Sequence, residues 1–297
     1  MPGEFDFISW IETQQRATSR VLTPAGDDMA VLAWKADDLL LVAVDQVIDG
    51  VHFDSSRHTP RQIGRKVMNR NLSDCAAMAC LPASAVAAVA LPQGCGLDYA
   101  RELYTGMKEA GDPFDCPIVG GDTASWPNKL VLSLTILGRS AGIAPVLRKG
   151  AHAGEWIYVT GPLGGSILGR HMDFLPRIAL ARELASHHRI TAMIDISDGL
   201  SRDLGHIAQA SGVGADLDAS ASPLHADAIT LSKQDGKTPL EHALHDGEDH
   251  ELVFTSPDTI TLPGVTRIGA TSAGPGLFLR HGTDLRELPL RAWEHRL

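Results

Sequence analysis

Four cysteines in 297 residues, at Cys75, Cys80, Cys95 and Cys116, form no CxxC pair and have no histidine at ligand spacing. That argues against a disulfide framework or a zinc site and fits structural thiols in a reducing compartment. Any run of Lys or Arg is missing too: 26 basic against 36 acidic residues give a net charge of −10. No electrostatic footprint for nucleic acid or an anionic membrane exists, so neither is expected as a partner. The longest apolar stretch, Ala76 to Leu91, is broken by Pro82 and Ser84 and cannot span a bilayer. Met1 to Asp6 holds neither a basic segment nor an apolar one, so a signal peptide is not expected and a cytoplasmic location is. Also absent are a GxxxxGK[ST] phosphate loop and a protein-kinase catalytic loop.

What is present is a 44% hydrophobic chain long enough for two domains of ordinary size. The stretch Ala192 to Ile207 reads as a buried strand, an acidic turn and an amphipathic helix. Leu200, Leu204, Ile207 and Ala208 recur at helical spacing behind Asp195 and Asp198. Ser197 or Asp198 is a candidate N-cap and Gly212 a candidate stop, which leaves Asp195 unexplained.

Other segments repeat the pattern. Glu4 to Gln15 reads as a short helix, and Thr23 to Leu32 as a turn running into a strand. That turn holds Asp27 and Asp28, which by themselves read as solvated turn formers. Leu39 to Val44 is a continuous apolar run, expected to be a strand buried on both faces and ending at Asp45. His52 follows in an apolar stretch where a lone imidazole reads first as structural. Thr59-Pro-Arg-Gln is a capping box with proline at the first helical position. The stripe Ile63, Val67, Asn71, Asp74, Met78 then places Asp74 on the inward face. There a salt bridge to Arg70 or Lys66 weighs evenly with a metal role. Ala83 to Leu91 and Lys129 to Gly138 read as strands, and Leu97 to Gly111 as a helix. Pro117 to Thr123 reads as a short strand with two glycines before Asp122. The irregular stretch from Ser140 to Glu155 marks a boundary, giving domains 1–142 and 143–297. In the second half Trp156 to Thr160 is a strand, and Gly161 to Ser166 reads as a plain turn into a helix, with a phosphate cradle as the alternative. Ile178 to His188 reads as a surface helix. Gly247 to Phe254 sets three acids before a strand, with two short strands after it.

Six aspartates, Asp27, Asp45, Asp74, Asp122, Asp195 and Asp198, stand in turns or on an inward helix face. Brought together they would repel, each raising the pKa of the others. Several hard cations would relieve this, and an all-oxygen set points to Mg²⁺ and so to polyphosphate chemistry with ATP.

The residues resemble, in order, the motifs of the thiamine-monophosphate kinase family. They are Gly26-Asp-Asp-Met-Ala-Val, Asp45 through Phe53, Asn71-Leu-Ser-Asp-Cys-Ala-Ala-Met, Val119-Gly-Gly-Asp-Thr, Arg148-Lys-Gly-Ala, Tyr158-Val-Thr-Gly, Met193 through Leu200 and Gly247-Glu-Asp. The resemblance implies an α/β (α+β) chain with a two-domain PurM-like fold, that of the aminoimidazole ribonucleotide synthetase superfamily. An N-terminal sheet-and-helix domain would bind ATP and Mg²⁺ and form a homodimer interface, next to a C-terminal α/β domain. It implies ATP-dependent phosphorylation of thiamine monophosphate to thiamine diphosphate. By motif position Asp27, Asp45, Asp74, Asp122, Asp195 and Asp198 correspond to Mg²⁺ ligands. Tyr104, Gly121, Arg148 and Ser197 correspond to ATP-binding positions, and His52, Glu248 and Trp293 to positions facing the thiamine phosphate. Several Mg²⁺ ions are implied, with K⁺ a further candidate. No residue is assigned as acid or base.

Departures from the family pattern are specific. Ala43 and Val44 stand where hydroxyl residues are usual, Ala124 and Ser125 follow Gly-Gly-Asp-Thr, His250 replaces a tyrosine, and Arg296 replaces a terminal aromatic. The alternatives are a non-catalytic nucleotide-binding paralogue and another ATP-dependent enzyme of the superfamily. Hydrogenase-maturation and selenophosphate-synthesising relatives carry an essential terminal cysteine, and neither end here has one.

Overall fold

A computed structural model describes residues 4–15, 19–23 and 31–290. It divides into two compact units, Met1–Cys75 with Cys80–Gly142, and Ala76–Ala79 with Ile143–Leu297.

The first unit runs α1 (Glu4–Gln14), β1 (Val21–Thr23), β2 (Val31–Leu32), β3 (Leu40–Ile48), α2 (Pro60–Ala77), β4 (Leu81–Pro92), α3 (Leu97–Gly111), β5 (Ile118–Trp126) and β6 (Val131–Arg139). β1 and β2 pair antiparallel, and the other four strands form a sheet in the order β3-β6-β4-β5. Only β4 and β5 run parallel in it. The capping box forms as read: the Thr59 N–H donates to Gln62 Oε1 at 2.9 Å and the Gln62 N–H to Thr59 Oγ1 at 3.3 Å. Ile63, Val67, Met68 and Leu72 of α2, Leu103 and Met107 of α3, and alternate residues Leu132, Leu134 and Ile136 of β6 build the core.

Two strand expectations are corrected. β3 does not stop at Asp45 but continues through Gln46-Val47-Ile48, and it is an edge strand with alternating exposure. Leu40, Val42 and Val44 are 54%, 62% and 65% exposed, so the apolar run is open on one face instead of buried on both. β5 likewise runs past the glycines to Trp126, so Asp122 lies within a strand. Small residues on the neighbouring β4, Ala87 and Ala88, allow the parallel pairing to continue there.

The second unit runs β7 (Trp156–Thr160), α4 (Ile178–His187), β8 (Ala192–Asp195), α5 (Leu200–Ser211), β9 (Gly214–Asp218), α6 (Ala226–Asp235), α7 (Pro239–His245), β10 (Leu252–Ser256), β11 (Val265–Ser272), β12 (Leu277–His281) and β13 (Asp284–Glu287). Three strands, not two, follow β10. The seven strands are ordered β13-β12-β9-β11-β7-β10-β8, antiparallel except for β12 and β9. Ile157, Val159, Ile194, Leu204, Ile207, Leu217, Val253 and Ile268 form one core between sheet and helices. The Gly161–Ser166 turn leads into two 3₁₀ turns, Ser166–Leu168 and Arg170–Met172, rather than an α-helix. Among the described residues no helix is long and apolar enough to cross a membrane. Cys75, Cys80 and Cys116 are buried and not in disulfides, and burial pushes Cys116 up to about 12, which suits a packing role.

Candidate active site

In the second unit the site is built where two distant segments meet. β8 pairs with β10 so that Asp195 lies opposite Leu252. Beyond the strand ends the two chains stay joined by main-chain bonds: Ile196 N to Glu251 O at 2.7 Å, His250 N to Ile196 O at 2.8 Å and Glu248 N to Ser197 O at 2.8 Å. Gly247, Glu248 and His250 take φ values of 76°, 52° and 50°. Two non-glycine residues in the left-handed region on one short strip mark backbone strain of the kind that collects at functional sites.

The Asp195–Asp198 turn is not capped as expected. Gly199 is the N-cap of α5 and makes no side-chain cap bond. Instead Asp203, one turn into the helix, reaches back, and its Oδ2 accepts the N–H groups of Asp198 at 3.0 Å and Gly199 at 3.1 Å. This relieves Ser197 and Asp198 of capping and leaves both available to a ligand. Gly212 does stop the helix, at φ 69°. Asp203 is buried, and burial, with the charges of Asp195 and Asp198 adding to it, pushes its carboxyl up to about 8. Asp198, Asp203 and His206 have ligand atoms all within 4.8 Å of one another. Burial holds the His206 imidazole below its ordinary range, and Arg148 and Arg202 lower it further. Two aspartates and an imidazole with their ligand atoms this close are an oxygen-and-nitrogen donor set that fits a divalent cation.

Asp246, Asp249 and Glu251 are held by structural partners. Asp249 accepts the Gly164 N–H on both oxygens at 3.0 Å and Arg170 Nη2 at 2.9 Å. Asp246 accepts the Gly165 N–H at 3.2 Å. The amides that a phosphate cradle would need are therefore occupied by carboxylates, and the plain-turn reading is the one the structure supports. Glu251 takes Arg177 through Nε at 2.7 Å and Nη2 at 2.5 Å, and Thr160 Oγ1 at 2.7 Å. Glu248 lies 3.2 Å from the ring of buried His171. Arg148 is exposed, and its carbonyl accepts Ser211 Oγ at 3.3 Å.

In the first unit Arg70 of α2 pairs with Asp45, Nε to Oδ2 at 3.1 Å and Nη2 to Oδ1 at 3.3 Å. Lys66, fully buried, donates to the carbonyl of His52 at 2.7 Å. His52 Nδ1 accepts the Ile48 N–H at 3.1 Å, closing a turn. Asp74 of α2 is half-buried. Tyr104 is 5% exposed, edge-on to Trp10, with its hydroxyl accepting from Gln15, and burial pushes it up to about 12. A Cβ on Gly121 would lie 2.1 Å from the Ala87 carbonyl oxygen, so the close approach it permits is that of β4.

Register separates two of the acids. One cross-strand row is Asp45–Leu134–Ala87–Gly121, and the next is Gln46–Ser133–Ala88–Asp122. Cross-strand partners share a face, so Asp45 lies on the side of buried Leu134 and Asp122 on the side of exposed Gln46. Three strand spacings of about 4.8 Å put them about 14 Å apart along the sheet. Asp27 and Trp293 fall outside the described residues. The residues to which sequence reasoning gave no site role are Asp203, His206, His250 and Glu251. Only the helical spacing of Asp203 and His206 behind Asp198 offered a signal.

Residues 26–140 match the model for the AIR synthase related protein, N-terminal domain, and residues 152–259 that for the C-terminal domain. The fold is thus that of an AIR-synthase-related protein, with both domains present. Thiamine-monophosphate kinase of Rhodopirellula baltica is 39% identical over 95% of this chain and 93% of its own. The crystal structure of thiamine-monophosphate kinase from Stenotrophomonas maltophilia is 31% identical, with TM-score 0.79 over 93% of this chain and 96% of that one. AaThiL complexed with AMPPCP and TMP is 28% identical, with TM-score 0.76 over 96% of each chain. The chain belongs to the thiamine-monophosphate kinase family.

Proposed function

We infer that this protein transfers the γ-phosphoryl group of ATP to thiamine monophosphate, giving thiamine diphosphate and ADP. The observation that carries the reading is the match, over 96% of each chain, to a relative bound to AMPPCP and TMP. An oxygen of the acceptor phosphate forms the new bond to the γ-phosphorus while the bond from that phosphorus to the β,γ-bridging oxygen breaks. A phosphate monoester has its second pKa near about 6, so the attacking oxygen is already largely ionised at neutral pH. No base is needed.

The obstacle is repulsion between two anions, and the chain's residues answer it by binding and alignment. Asp45, Asp74, Asp122, Asp195 and Asp198, with Asp27, are the proposed holders of several Mg²⁺ ions, which when bound neutralise phosphate charge and orient it. Arg148 and Ser197, with Gly121 and Tyr104, are the proposed ATP contacts. His52, Glu248 and Trp293 are proposed to face the thiamine phosphate, and K⁺ is a candidate monovalent ion.

A homodimer is part of the proposal. The exposed face of Leu40, Val42, Val44 and Val86 is an apolar patch on an open four-stranded sheet, the kind of surface that a second copy covers. A dimer also offers Asp45 and Asp122 a partner across subunits that one sheet does not provide. A cytoplasmic location, without nucleic-acid or membrane partners, completes the reading. The test is incubation with ATP, Mg²⁺ and thiamine monophosphate, following thiamine diphosphate. Product formation is expected; nucleotide binding without product would instead identify a non-catalytic paralogue.

A further inference from the structure

We propose that His250 is a positioning residue, holding the Asp195 carboxylate in the orientation from which it meets a divalent cation. The inference rests on Asp195 being a metal ligand, as proposed above. Its own support is geometric. His250 Nδ1 lies 3.3 Å from Asp195 Oδ2, and the two residues are 2% and 6% exposed. With a proton on Nδ1 the ring donates to the carboxylate, which can only accept.

The imidazole has little freedom to turn away. Its ring stacks on Phe174 at 4.0 Å between centroids and 13° between planes. Its backbone sits at φ 50°, fixed by the N–H bond to Ile196 O. Nε2 is buried without a hydrogen-bond partner. A buried ring that leaves one nitrogen unsatisfied loses free energy by doing so. A purely structural position would be better filled by an apolar ring, so the cost points to a use for the other nitrogen, the one on Asp195. Ligating carboxylates depend on such outer partners for orientation, and losing one typically weakens metal binding about 10–100-fold.

Three substitutions separate the roles of the ring. His250→Phe keeps the stack and removes the donor. His250→Asn keeps a donor close to the Nδ1 position and tolerates positive φ. His250→Gln carries its amide one methylene further out. Mn²⁺ is titrated calorimetrically into each protein in the presence of a non-hydrolysable ATP analogue, with thermal midpoints recorded alongside.

His250→Phe should lose about 10-fold or more in Mn²⁺ affinity, with His250→Asn within about 3-fold of the parent. A folded His250→Phe protein that binds Mn²⁺ like the parent overturns the proposal. If that variant does not fold, the amide pair decides: tight binding by Asn with weak binding by Gln supports it, and equal binding refutes it. Asp195→Asn is the control for the underlying reading. Unchanged Mn²⁺ affinity there would remove Asp195 from the metal ligands whatever His250 does.

Discussion

Asp45 and Asp122 occupy opposite edges and opposite faces of one four-stranded sheet. If both serve one reaction centre, the shortest way to unite them is across two copies of the chain. Asp45→Asn, Asp122→Asn and Asp74→Asn should each abolish thiamine diphosphate formation, the last two without lowering the thermal midpoint, while Asp45→Asn also gives up the ion pair with Arg70. A dimer mixed from Asp45→Asn and Asp122→Asn subunits holds one intact combination of the two acids. Random mixing should therefore restore about one quarter of parental turnover. Recovery of none would place both acids in the service of a single protomer, and near-normal turnover in a single variant would remove that acid from the metal set.

The buried carboxyl of Asp203 gives the metal-free protein a defined pH response. Its folded pKa is pushed up to about 8 from 3.8, by burial first and by Asp195 second. The folded chain thus holds this proton more tightly than the unfolded chain. The stability it supports is complete below the ordinary carboxyl range and is lost as pH rises through about 8. In Asp203→Asn the amide oxygen can still accept both N–H groups, since Asp198 and Gly199 share one oxygen, but nothing titrates. The thermal midpoint of the metal-free parent should fall more steeply than that of Asp203→Asn between about pH 4 and about pH 8. Parallel curves would show that Asp203 does not titrate in this window.

How much of this was legible in the residues depended on whether the signal was local. The strand-turn-helix around Asp195, the capping box at Thr59 and the bounds of α3 rest on short-range periodicity and turn chemistry, and they appear as read. β3 misled because an apolar run says that a strand wants cover, not that its own chain supplies it. Asp122 misled because two glycines look like a break, whereas the alanines of β4 make room for a continuous strand. His250 and Glu251 were out of reach for a different reason. They meet Asp195 and Ile196 through pairing between segments 55 residues apart, and no local pattern encodes that register.

The crossing of α2 and α3 depends on two glycines. A Cβ on Gly64 would lie 2.0 Å from the Leu103 carbonyl oxygen, and one on Gly106 2.0 Å from that of Arg61. Both obstacles are backbone, so neither can swing aside as a side chain would. Gly106→Ala should force the helices apart at a cost of about 1–3 kcal/mol, the usual range for overpacking. Its urea midpoint should fall with the slope unchanged, because the exposed surface on unfolding is the same. An unshifted midpoint would mean that the helices can separate freely.

Arg177 and Glu251 anchor the strip that carries His250. The guanidinium meets the carboxylate through two nitrogens, and the Glu251 carbonyl in turn accepts the Ile196 N–H beside Asp195. Arg177→Met removes the cation and leaves a 5% exposed carboxylate with only Thr160 Oγ1 as a side-chain donor among these contacts. Breaking such a pair costs about 3–5 kcal/mol when both partners are buried; with Arg177 one-third exposed, about 2–3 kcal/mol is expected. Most of that cost is the stranded charge, so the double substitution Arg177→Met with Glu251→Leu should be more stable than Arg177→Met alone. Urea unfolding of the three proteins measures the difference. A double variant weaker than the single one would mean that the strip needs the carboxylate itself, through Thr160, more than it needs the ion pair.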